Sequence, residues 1–122
     1  NNHTAQQRKE KWNELQSTFN NPIVDWRGYE EVRANSWQDI LHLYIVPFYI
    51  IEYGMAQLGA IAIWRRYKID PQGALADYKA ALELGYTKTI GEIYERAGIR
   101  FDFSPSYVQE LADFVYQEWK KL

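Results

Sequence analysis

The longest apolar run in the chain, WQDILHLYIVPFYIIEYGMAQLGAIAIW at positions 37–64, is divided by a proline. Inside a helix Pro47 would lose a hydrogen bond and clash with the preceding turn, but it fits a first helical position. The pattern therefore predicts a short helix over 36–44, a joint at Ile45 and Val46, and a long helix over 47–67. On that long helix Tyr49, Tyr53, Ala56, Gln57 and Ala60 fall at three- and four-residue spacings and share a face. The other positions, among them Ile50, Ile51, Met55, Leu58, Ile61, Ala62 and Ile63, are apolar too. A helix that is apolar almost all round has to be enclosed on every side. The expectation is a central helix with the remaining helices packed around it.

Start and stop signals elsewhere predict helices throughout. Thr4 is an N-cap for a first helix over Ala5–Phe19, with Trp12, Leu15 and Phe19 on one stripe. Asn20-Asn21-Pro22 stops it. Asp25 is expected to cap a short amphipathic helix through Trp26, Tyr29 and Val32, and Ser36 to cap the next. Asp70-Pro71 is a cap followed by proline at the first position, and Gly85 a left-handed stop. Between them Leu75, Tyr78, Ala81 and Leu82 form the inner stripe. Thr89 opens a helix closed by Gly98, residues 99–103 form an irregular connector, and Ser104-Pro105 opens the last helix. That helix turns Tyr107, Val108, Leu111, Phe114, Val115 and Trp119 inward. No run alternates as a strand does. The fold class is all-α: an irregular bundle of about six helices. ALADYKAALELG looks like half a tetratricopeptide unit, but no second copy follows at that period, and an ordinary helical hairpin is the better reading.

At 122 residues the chain is large enough for one core and is read as a single helical domain, 1–122, with no internal boundary. A formal charge of -2 offers no field for nucleic acid or an anionic membrane. Arg65, Arg66 and Lys68 complement the negative end of the long helix. With no cysteine, a disulfide framework and a thiolate metal site are excluded, and a reducing compartment, the cytoplasm, fits best. The first twenty positions do not read as a signal peptide. Residues 43–64 have the length of a membrane span, but Pro47, Glu52 and Gln57 argue against one. The chain opens Asn1-Asn2-His3 and its one methionine is Met55, so it is expected to be a trimmed or excised piece of something longer.

Few residues carry chemistry. His42 is the histidine in a folded position, and a solitary His among apolar neighbours is more often a packing residue than a catalyst. Glu52 looks buried and would then need a donor, from Tyr49, Gln57 or outside the chain. Tyr49 and Tyr53, one helical turn apart, could aim their hydroxyls into a common space; otherwise they are core tyrosines with one wet edge. There is no HExxH, Walker loop, GxSxG or GxGxxG, so spacing alone yields no self-sufficient active site.

The run HLYIVPFYIIEYGMAQLGAIAIW, with HTAQQRKEKWNEL and VDWRGYEEVR before it and ERAGIRFDFSPSYVQELADFV after it, resembles the C-terminal segment of oligoendopeptidase F. That is a zinc metallopeptidase family related to thimet oligopeptidase. The family pattern is a histidine, then PFYYI-D/E-Y, then GxAQLGA, then tryptophan. The resemblance implies a larger helical peptidase acting on oligopeptides. Its zinc ligands, an HExxH pair and a later glutamate, would lie in an N-terminal part of the same protein, so that this chain alone is inactive. Zinc there would activate water with the HExxH glutamate as general base. By position His42, Tyr49 and Tyr53 match substrate-facing residues: His42 positions substrate or stabilises the intermediate, and one or both tyrosines donate to the oxyanion. Ile50 stands where many relatives carry a second tyrosine, which leaves open which hydroxyl acts. The rival reading is a non-catalytic helical binding module derived from that fold. A third is self-association, with the apolar helix buried between copies.

Overall fold

The structure is a computed structural model that describes residues 3–122. Asn1 and Asn2, on which the reading of the chain's opening partly rests, lie outside the described residues. Among those residues there are seven α-helices, a 3-10 turn and no strand. Among the described residues no helix is long and apolar enough to cross a membrane. The chain packs as two compact units, Asn1–Ile50 and Ile51–Leu122.

In the first unit, α1 is Ala5–Phe19, α2 is Glu30–Asn35, a 3-10 turn spans Ser36–Asp39, and α3 is the single turn His42–Ile45. The start of α1 is a capping box. Thr4 Oγ1 accepts from the Gln7 amide at 3.2 Å, and Gln7 Oε1 accepts from the Thr4 amide at 2.9 Å. Trp12 Nε1 donates to Ser36 Oγ at 2.9 Å, and that hydroxyl donates to the Arg33 carbonyl. One relay of hydrogen bonds thus ties α1 to α2. Lys9 adds an ion pair with Glu31 at 2.7 Å. Phe19 is exposed, so the inner stripe of α1 rests on Trp12.

Four boundaries in this unit differ from the sequence reading, the first being Ser36, which caps no helix because its hydroxyl donates back to the Arg33 carbonyl. Asp25 caps no helix: its carboxylate accepts from the Arg27 amide and from the Arg27 guanidinium, and Gly28 turns left-handed before α2 begins. The helix read over 36–44 is split, because Ile40 at φ -87°, ψ 86° leaves the helical region. Pro47 does not open the long helix. Phe48 adopts φ 66°, which a helix cannot contain, and the helical ladder starts only at Ile51. Left-handed backbone costs a non-glycine residue about 1–2 kcal/mol.

The second unit contains α4 (Ile51–Ile69), α5 (Pro71–Glu83), α6 (Ile90–Arg96) and α7 (Pro105–Trp119). Its caps are those the sequence marks. The Asp70 carboxylate accepts from the Gly73 amide at 3.0 Å, Thr89 and Glu92 form a second capping box, and Ser104 Oγ accepts from the Tyr107 amide. Gly85 and Gly98 have positive φ at the turns that follow α5 and α6. α4 packs on α5 and α7, and α5 on α6. The core is Ala62, Tyr107 and Leu111, flanked by Leu58, Ile61 and Ile99. Trp64 meets Phe114 edge-on at 4.8 Å.

Two carboxylates, each shared by two arginines, tie these helices together. Asp77 accepts from Arg66 and, at 2.8 Å, from Arg96. Glu110 accepts from Arg65 and Arg100, both at 2.6 Å. Arg66 also donates to the Ala97 carbonyl at 2.8 Å, closing the end of α6 onto α4.

The expectation that α4 is enclosed on every side is not met. Gly59 and Ala62 are buried, while Ile51, Tyr53, Tyr67 and Ile69 are exposed. Gly59 and Ala62, with Leu58 and Ile61 beside them, take the neighbouring helices, while other large side chains of α4 face outward. α5 behaves alike: Ala74 and Ala81 point inward and Leu75 and Leu82 do not. Short side chains let helix axes approach closely, so the alanines rather than the leucines form the contact.

Candidate functional site

His42 and Tyr49 both belong to the first unit. α3 ends where the Val46 amide reaches the His42 carbonyl at 3.3 Å, and the turn over 47–50 then closes with the Tyr49 amide on the Val46 carbonyl at 3.1 Å. This reversal, permitted by Pro47 and the left-handed Phe48, lays the Tyr49 ring on the imidazole. The centroids are 5.1 Å apart and the planes 9° from parallel. Both side chains are half-buried. A parallel stack holds each ring against rotation, so their polar edges are presented in a restricted set of directions. In the same unit Trp37 stacks on Tyr44, with the ring centroids 6.0 Å apart.

Tyr53 lies in the second unit, in the first turn of α4, and is 56% exposed. The one-turn spacing expected between Tyr49 and Tyr53 does not exist, because Tyr49 stands in the turn ahead of the helix and not on it. The side chain of Glu52 is not buried either. It is exposed in the first turn of α4, where a carboxylate complements the positive end of the helix dipole. That is a complete structural reason for its charge, and no buried donor is called for.

Sequence reasoning did not anticipate the cleft between α4, α5 and α6. It encloses about 480 Å³, with Ala56, Gly59 and Ala60 on its floor and Trp64, Tyr78 and Tyr94 among its walls. Its lining carries no carboxylate, imidazole or ammonium group, so it can take apolar surface but supplies no general acid or base at neutral pH. Tyr94 Oη donates to the Met55 carbonyl at 2.9 Å. Burial pushes the Tyr94 phenol up from its ordinary value, which keeps it a proton donor. Gly59 makes the approach possible, since a Cβ there would lie 2.8 Å from that hydroxyl. The signal was present in the sequence as Gly59, one of two glycines within α4 and the one that is buried.

Among the described residues, no group of three or more His, Cys, Asp or Glu side chains is placed to hold a metal ion. The family model for peptidase family M3 matches residues 1–113. No curated protein and no solved structure matches the chain.

Proposed function

The chain belongs to peptidase family M3, and from that premise we propose that it is the C-terminal part of an oligoendopeptidase F-like zinc peptidase that hydrolyses short peptides in the cytoplasm. In this reading the metal ligands come from an N-terminal part of the same protein, and this chain supplies the groups that hold the scissile carbonyl. His42 positions the substrate or the tetrahedral intermediate. Tyr49 or Tyr53, or both, donate a phenolic O–H to the carbonyl oxygen as it gains charge. Donors held in place before the reaction stabilise that charge without reorganising at the moment of bond breaking.

The observation that carries the reading is the family match, which runs through all three residues. The His42–Tyr49 stack supports it, since a pair held face to face is the preorganisation such a role requires. The exposed apolar faces of α4 and α5 are consistent with a chain that is covered by further helices of the same body.

The test is hydrolysis of a quenched fluorescent oligopeptide by the protein carrying both this chain and an HExxH segment. Tyr53→Phe, Tyr49→Phe and His42→Ala are each compared with the parent. Loss of the acting donor is expected to lower kcat by about a hundredfold or more. Full activity in all three variants would remove the assignment of these residues. The alternative, a non-catalytic helical binding module, draws on the lack of a metal-holding cluster among the described residues. A parent reading frame with no HExxH would favour it.

A further inference from the structure

We propose that Tyr94 is a positioning residue for Tyr53, acting through the backbone of α4; this rests on the reading of Tyr53 as an oxyanion donor. Ile51, Glu52, Tyr53 and Gly54 are all exposed, and a helix start leaves its leading amides without partners inside the helix. Such ends fray unless something outside the helix restrains them. Tyr94 reaches this segment from α6. Its hydroxyl donates to the carbonyl of Met55, two residues beyond Tyr53 and within the same turn.

Tyr94 is itself firmly placed. The capping box of Thr89 and Glu92 fixes the start of α6. Phe101 packs edge-on against the Tyr94 ring at 5.1 Å, and Phe103 against Phe101 at 5.0 Å. On the opposite side the hydroxyl sits over Gly59, where any side chain would displace it. The arrangement therefore transmits the position of α6 to the turn that carries Tyr53. An error of about 1 Å in the placement of a reacting group can cost on the order of a hundredfold in rate. A single tether of this kind is worth part of that.

The experiment measures kcat and KM for oligopeptide hydrolysis by the full-length peptidase in four forms: unaltered, Tyr53→Phe, Tyr94→Phe and the double variant. Tyr94→Phe keeps the ring and removes only the hydroxyl. It is expected to lower kcat by about tenfold with KM little changed. In the Tyr53→Phe background it should cost nothing further, because the group it positions is gone. Gly59→Ala, which crowds the hydroxyl while leaving Tyr94 in place, should reproduce the loss. An unchanged kcat in Tyr94→Phe, or a loss of equal size in both backgrounds, overturns the inference while leaving the oxyanion reading intact. Full activity in Tyr53→Phe overturns the inference together with the reading of Tyr53 as a donor, and so separates a failure of the site from a failure of its support.

Discussion

Gly85 and Gly98 both hold left-handed backbone, at φ 52° and 69°, but in different surroundings. Nothing stands near a Cβ at Gly85, whereas one at Gly98 would overlap the guanidinium of Arg66. Gly85→Ala should therefore cost only the backbone term, about 1–2 kcal/mol. Gly98→Ala should cost about 2–4 kcal/mol, since it also displaces Arg66 from the Ala97 carbonyl. Urea denaturation of the two variants checks the order. The carboxylates these arginines serve set the acid limb of stability. Arg66, then Arg96, holds Asp77 below its ordinary 3.8, and Arg65 and Arg100 hold Glu110 below its ordinary 4.5. Lys121 and Lys68 do the same for Glu118. Because the folded values are depressed, the stability they confer is complete above the ordinary values and is lost as pH falls through the lowered ones. Tm should hold steady from neutral pH down to about 5 and fall below about 4. Asp77→Asn should flatten part of that fall, as read by thermal melts across pH.

At the level of the helix, ends were more legible than faces. Thr4, Asp70, Thr89 and Ser104 each cap where the sequence marks a start, because a cap needs only a side-chain oxygen and an amide two or three residues on. Thr89→Ala should cost about 0.5–2 kcal/mol and lower the helicity seen by circular dichroism. Faces depend on what the rest of the chain brings against them. Leu111 is 0% exposed at the contact of α7 with α4, and Leu111→Ala should cost about 2–5 kcal/mol by equilibrium unfolding. Leu82 reads as equally inward from its spacing, yet it is 61% exposed, since Ala81 makes the contact instead. The entry to α4 was misread for a related reason. Pro47 is compatible with a first helical position, but compatibility with one conformation does not exclude another, and Phe48 at φ 66° takes the other.

Among the described residues little beyond alanines is buried. Among the described residues the buried side chains are Ala34, Ala62, Ala74, Ala81, Ala97, Tyr107 and Leu111, while Ile69, Tyr86 and Phe48 stand in solvent. Apolar surface of that extent is unusual for a self-sufficient monomer. The isolated chain is expected to bind a hydrophobic dye and to gain mass with concentration in light scattering. A compact monomer that leaves the dye dark would show that the surface is tolerated as it stands.

The sequence by itself determined the all-α class, the helix starts at Thr4, Asp70, Thr89 and Ser104, and membership of peptidase family M3, because these depend on local hydrogen bonding and on the order of residues along the chain. Only the tertiary structure decided that Tyr49 stacks on His42, that Glu52 stays in water, and that Tyr94 grips the carbonyl of Met55. Each of those outcomes turns on a backbone reversal or an approach between distant segments, and such geometry is chosen by how whole helices settle against one another.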